Sequence, residues 1–120
     1  MALTITSRQT GGIEILTLSG RLTLGDPTAD LRDTARKALD RGSDILVDLS
    51  GVDYMDSAGL GELVGVHAAG SNRSRRVKLL RPMQRVTQLL HLTKLYTTFE
   101  IFESETEAIT SFERSVAETA

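Results

Sequence analysis

No cysteine and no tryptophan occurs among the 120 residues. The missing thiols exclude disulfides, thiolate metal sites and cysteine nucleophiles, and fit a reducing compartment. Histidine is scarce as well: His67 and His91 stand alone, neither within a spaced cluster of ligands, so no metal centre is expected. No apolar run approaches the roughly 20 residues that would span a membrane. The charge-free start, Met1 to Ser7, lacks the basic segment, unbroken apolar stretch and small-residue cleavage site of an export signal. A soluble, cytoplasmic chain is therefore expected. Its length suits one domain, residues 1–120, burying roughly two thirds of the surface of the unfolded chain.

The formal net charge of −2 hides an asymmetry. Arg73, Arg75, Arg76, Lys78, Arg81 and Arg85 follow one another with no acid between them, whereas Glu100, Glu103, Glu105, Glu107, Glu113 and Glu118 face only Arg114 near the end. The basic block holds no aromatic residue to stack on bases and is crossed by a strand, so direct nucleic-acid binding is not expected. It reads as a solvated strand entry and helix face.

What is present is alternation between strand and helix periods. Leu3, Ile5 and Ser7 open a short strand, Gly11-Gly12 signals a turn, and Ile13 to Ser19 alternate as a second strand that Gly20 ends. A helix follows, with Asp26 as cap, Pro27 in its first turn, and Ala29, Leu31, Ala35, Ala38 and Leu39 as its stripe; Gly42 stops it. Further strands are expected at Ile45 to Ser50, Val77 to Leu80 and Phe99 to Phe102. Further helices are expected after Ser57, from Pro82 to about Thr93, and from about Glu105 to Val116, the last with Ala108, Ile109, Phe112 and Val116 on one stripe. Such an order predicts an α/β domain with a mixed sheet of about five strands covered by about four α-helices.

Within this order the run VDLSGVDYMDSAGLG, Val47 to Gly61, carries most of the functional information. Up to Ser50 its residues alternate as a buried strand. From Leu60 onward the apolar period changes to three and four, through Leu63, Val64, His67 and Ala68, so a helix leaves from Asp56 and Ser57. Ser57 thus lies where the first helical N–H groups have no partners, a place suited to a hydroxyl, a carboxylate or a phosphate. Asp56 or Ser57 as a plain helix cap is the simplest reading. Gly59 and Gly61 speak for more, since each costs about 1 kcal/mol relative to alanine in a helix and implies a close approach to the helix start. Tyr54 and Met55 fit either an apolar contact rim or ordinary core packing.

Three function classes meet at Ser57. A hydrolase nucleophile fits the G-x-S-x-G elbow except at Met55, and needs a base; His67, ten residues on, lies roughly 15 Å along the same helix. An anion or nucleotide site would use the two glycines, but no phosphate-binding loop and no nearby lysine accompanies them. A phosphorylation switch needs only an exposed hydroxyl, because a phosphate at a helix N-terminus is tolerated by the fold while it disrupts an interface.

With Gly20 after a strand, Pro82 opening the third helix and Leu92-Thr93 before Phe99, the run resembles a STAS domain of the anti-sigma-factor antagonist type, most specifically in MDSAGLG, Met55 to Gly61. The resemblance covers nearly the whole chain. It implies a STAS-like fold, no enzymatic activity, no cofactor and regulation of transcription. The partner it implies is an anti-sigma factor with a histidine-kinase-like ATPase fold, which phosphorylates Ser57 with MgATP and so releases the antagonist. A PP2C-type phosphatase then restores it. The partner-binding set it implies comprises Arg21, Thr23, Tyr54, Met55, Asp56, Ser57, Ala58, Gly59, Leu60 and Gly61. Ala58 stands where many antagonists carry a second serine. Arg21 and Thr23 stand where many carry acids, in a loop expected beside Ser57, and Lys94 stands near a common helix-ending glycine. The same family includes stressosome scaffolds and adaptors of lipid-transport ATPases, which keep the fold and change the partner.

Overall fold

The computed structural model describes residues 3–119, with side chains through residue 113. Its elements run β1 (Thr4–Thr10), β2 (Ile13–Leu22), α1 (Asp26–Asp40), β3 (Asp44–Met55), α2 (Ser57–Asn72), β4 (Val77–Leu80), α3 (Gln84–Leu92), β5 (Ile101–Phe102) and α4 (Glu105–Thr119), with a 3-10 turn at Leu95–Thr97. The five strands form one sheet in sequential order. β1 pairs antiparallel with β2 through the Gly11-Gly12 turn, and the pairings from β2 to β5 are parallel. The expected mixed α/β sheet is therefore present.

Alternation along β3 assigns its two faces. Ile45, Val47 and Leu49 join the core with α1, α2 and α3, whereas Leu46 joins Ile13, Ile15, Leu80, Ala108 and Phe112 under α4. Paired on both sides and covered on both faces, β3 is buried from Asp44 to Leu49, and each such aliphatic side chain contributes about 1.5–3 kcal/mol. The amphipathic stripe of α4 is seen in Ala108 and Phe112; Val116 lies outside the described side chains.

Several expected boundaries move. Gly20 does not end β2. It takes φ 116, and the register with β3 shifts around it, so pairing continues to Leu22 opposite Met55. β3 likewise runs on to Met55 instead of turning after Ser50. Gly25, not Asp26, is the N-cap of α1, and the Thr28 hydroxyl accepts the Gly25 N–H at 3.2 Å. α3 begins at Gln84, two residues after Pro82. β5 keeps only Ile101–Phe102, because Phe99 turns into the core beneath the helices.

The basic block is solvated as expected at Arg73, Arg75, Arg81 and Arg85, half-buried at Arg76, and departs from the expectation at Lys78, which is 4% exposed. Its ammonium pairs with Glu100 at 2.8 Å, donates to the Ser111 hydroxyl at 2.9 Å, and lies 4.6 Å from the Phe112 ring centroid. Arg73, Arg76 and Arg81 pair with Asp40, Asp44 and Asp48. These acids come from α1 and β3, so no local window of sequence displays the pairing. No described helix is long and apolar enough to cross a membrane.

Candidate functional site

Because β2, β3 and β4 are parallel, their C-terminal ends share one end of the sheet, and there the chain leaves at Leu22, Met55 and Leu80. Ligands and partners of such sheets gather at this end. The junction between β3 and α2 is held by Asp56. With extended backbone (φ −95, ψ −178) it is the N-cap of α2, and one carboxylate oxygen accepts the Gly59 N–H at 2.8 Å. The other accepts the Leu24 N–H at 3.1 Å, while the Asp56 N–H donates to the Leu22 carbonyl at 3.3 Å. One side chain thereby straps the loop after β2 to the start of α2.

The expected choice between Asp56 and Ser57 as cap is resolved in favour of Asp56. Ser57 is the first residue of α2, is exposed, and its hydroxyl takes part in no hydrogen bond among the described residues. The helix thus leaves this oxygen available to chemistry from outside.

Gly59 answers the question its presence raises. A Cβ there would lie 2.2 Å from the Leu22 carbonyl oxygen, so the group approaching the helix start closely is the chain's own β2. A Cβ at Gly61 would meet nothing within 4 Å, and this residue faces outward. Of the remaining expected contact residues, Met55 and Leu60 are each 7% exposed and belong to the core. Arg21, Thr23, Tyr54, Asp56 and Ala58 reach the surface in full or in part. Arg21 belongs to β2 rather than to the expected loop; the loop after β2, with Thr23 and Leu24, meets the start of α2 through the Leu24 N–H on Asp56. Arg21 is opposite Tyr54 in the sheet, its guanidinium 4.5 Å above the ring centroid.

Two residues of this end escape a reading of the sequence. Leu24 is 77% exposed and Met83 41%. An aliphatic residue beside a strand reads as core by default; the signal for Leu24 is its place immediately before Gly25-Asp26-Pro27, outside the alternation of β2. Arg21, Asp53, Tyr54, Met83 and Arg85 line one open depression.

Among the described residues no base is hydrogen-bonded to the Ser57 hydroxyl. His67 packs edge-on against Phe99, with centroids 5.2 Å apart, and His91 stacks on Tyr96 at 4.7 Å. Hydrogen bonds from the Gly59 and Leu24 N–H groups hold the Asp56 carboxyl below the usual range, so it is a weak proton acceptor. Among the described residues no group of three or more histidines and acids is placed to hold a metal ion.

Two further carboxylates share this depression of pKa. Burial pushes Glu14 up, but Arg41, Ser7 and Gln9 outweigh it and leave it lowered. Burial likewise pushes Asp48 up, and the Ser50 N–H and hydroxyl with Arg81 bring it below its ordinary value. A carboxylate lowered in the fold contributes stability that is complete above its unfolded pKa and lost as pH falls through the folded one. Urea midpoints are accordingly expected to hold from neutrality to about pH 5 and to fall steadily below about pH 4. A midpoint unchanged down to about pH 3 would contradict these three assignments.

A family model described as Mlab, STAS domain, matches residues 5–101. An anti-sigma factor antagonist of Mycobacterium paratuberculosis superposes with a TM-score of 0.78 at 21% identity, over 91% of this chain and 92% of that one. The phosphorylated form of SpoIIAA, a cell fate determinant of Bacillus, gives 0.72 at 20% identity, over 91% and 99% of the two chains. A Thermotoga maritima protein proposed to be an anti-sigma factor antagonist gives 0.83 at 23% identity, over 89% and 92%. At these identities the likenesses establish a shared fold. With the family model running from β1 to the start of β5 across the five-stranded sheet, the chain belongs to the STAS domain family.

Proposed function

We propose that this protein is a cytoplasmic anti-sigma factor antagonist, built as one domain over residues 1–120, whose binding is switched by phosphorylation of Ser57. The observation that carries the reading is the exposed, unbonded Ser57 hydroxyl at the start of a helix already capped by its neighbour. The fold likeness to antagonists, one of them phosphorylated, supports it. The partner is an anti-sigma factor with a histidine-kinase-like ATPase fold. It transfers the γ-phosphoryl group of MgATP to Ser57 Oγ; the bond to ADP breaks, ADP departs, and the hydroxyl proton is lost to the kinase or water. Unphosphorylated antagonist occupies the anti-sigma factor and frees the sigma factor for transcription. A PP2C-type phosphatase reverses the modification. In this cycle the chain is ligand and substrate and catalyses nothing itself.

A second reading is an adaptor or scaffold without a switch, favoured by a matching family model whose description names Mlab and no antagonist. Incubation with the cognate anti-sigma kinase and MgATP, followed by peptide mass spectrometry, decides between them. One phosphoryl group on the Ser57 peptide, absent in Ser57→Ala, is the expected result. An active cognate kinase that leaves Ser57 unmodified would transfer the assignment to the adaptor.

A further inference from the structure

We infer that Leu24 is the anchor by which the partner that phosphorylates Ser57 takes hold of this chain, its side chain entering an apolar pocket of that partner. The inference rests on the reading of Ser57 as the switched residue and adds a specificity-determining contact beside it.

Single exposed aliphatic residues are ordinary on protein surfaces. Leu24, 77% exposed, differs in how firmly its backbone is held. Only Thr23 and Leu24 stand between the end of β2 and Gly25, the N-cap of α1. On one side Leu22 is fully buried, opposite Met55 in the sheet, and its carbonyl accepts the Asp56 N–H. On the other side the Gly25 N–H donates to the Thr28 hydroxyl, and the Gly25 carbonyl accepts that hydroxyl at 2.9 Å and the Ala29 N–H at 3.1 Å. Between these fixed points the Leu24 N–H itself donates to the Asp56 carboxylate at 3.1 Å. So short a span, tied at both ends and in its middle, has no slack to turn the side chain inward. The exposure of Leu24 is therefore built into the fold.

The same bonds set Leu24 beside Ser57. The carboxylate that holds its N–H also caps α2 through the Gly59 N–H at 2.8 Å, and Ser57 is the next residue of the chain. One fixed group, Asp56, thereby places an apolar side chain and an unbonded hydroxyl relative to each other.

A leucine in this position adds nothing to folding that a polar residue would not. In a complex it is useful, because a residue whose backbone is already ordered loses only its side-chain freedom when a partner covers it. Burial of the aliphatic side chain is favourable whatever the charge of the partner. That matters at this end, where Arg21, Asp26 and Asp53 are exposed and Asp56 partly so. Mixed charges favour no single sign of partner and leave the aliphatic contact to select it.

The test measures Ser57 phosphorylation by the cognate anti-sigma kinase with MgATP over a range of concentrations of the full chain, as wild type, Leu24→Ala, Leu24→Asp and Leu24→Met. Affinity of each unphosphorylated chain for the same kinase is measured at low and moderate salt. Expected for Leu24→Ala are a rise in KM and a loss of affinity on the order of tenfold, the same at both salt concentrations, with kcat within about twofold of wild type. Leu24→Asp should lose more, and Leu24→Met, of similar volume and apolar, should restore both to within about threefold. Melting temperatures of all four should agree within about 2 °C, because the side chain is in solvent. Phosphorylation of Leu24→Ala with wild-type KM and affinity would overturn the anchor and leave the switch standing. A fall in kcat at unchanged KM, or a loss that tracks a lowered melting temperature, would overturn it in favour of a role in geometry or folding. Failure of the active kinase to bind or modify even the wild-type chain would remove the switch and the anchor together.

Discussion

Gly59→Ala is expected to destabilise the fold by about 3 kcal/mol, lowering the melting temperature by on the order of 10 °C. In an ordinary helix the same change stabilises by about 1 kcal/mol. Here the added carbon would lie 2.2 Å from the Leu22 carbonyl oxygen and 3.0 Å from the Leu22 carbonyl carbon. The obstacle is backbone, and that backbone is fixed twice, by pairing of Leu22 with Met55 and by the Asp56 N–H on the same carbonyl. Neither side yields without breaking the junction between β2 and α2. Gly61→Ala supplies the internal comparison. With nothing within 4 Å of its added carbon, it is expected to be neutral or to raise stability by up to about 1 kcal/mol. Urea or thermal unfolding of the two variants reads the difference. Equal stabilities would mean that β2 can move away from the start of α2 at no cost.

That pair of glycines also marks where sequence reasoning succeeds and where it stops. The change of period after Asp56 shows a strand passing into a helix, because side-chain periodicity is local information. The two glycines announce a close approach, but what approaches is Leu22, a residue far earlier in the chain. Only the parallel pairing of β2 with β3 brings it there. Gly20 misleads for a related reason: a glycine with positive φ marks a bulge as readily as a strand end, and the partner strand decides between them. Lys94 is a milder case. It adopts φ 61 just after α3, the left-handed position that a glycine would fill without strain. The basic block shows the same limit for charge, since the acids that pair with Lys78, Arg76 and Arg81 are contributed by other parts of the chain. Leu24 and Met83 were illegible because exposure of an aliphatic residue is a property of the assembled end, not of its neighbours in sequence.

Ser57→Asp is expected to weaken partner binding by about 100-fold while leaving the fold intact, and Ser57→Ala to bind as the unmodified protein does. The two halves of this expectation have separate physical grounds. At the first residue of α2 a new anion meets the positive end of the helix dipole, which favours it by about 0.3–1 kcal/mol, so melting temperature should be unchanged or slightly higher. In a complex the same anion, beside Asp56, loses water and gains repulsion from that carboxylate. A loss of about 100-fold corresponds to about 2.7 kcal/mol, within the cost of leaving a charge unpaired in an interface. Phosphoserine, with roughly −1.5 to −2 charges, should act in the same direction and more strongly than aspartate. Because Asp56 alone holds the cap and the strap to Leu24, neither change at Ser57 removes an existing bond of the junction. Calorimetric titration against the anti-sigma factor, with melting curves of both variants, measures each half independently. Equal affinities for alanine and aspartate at position 57 would remove the switch, whereas an unfolded aspartate variant would show that the helix start does not accept the charge.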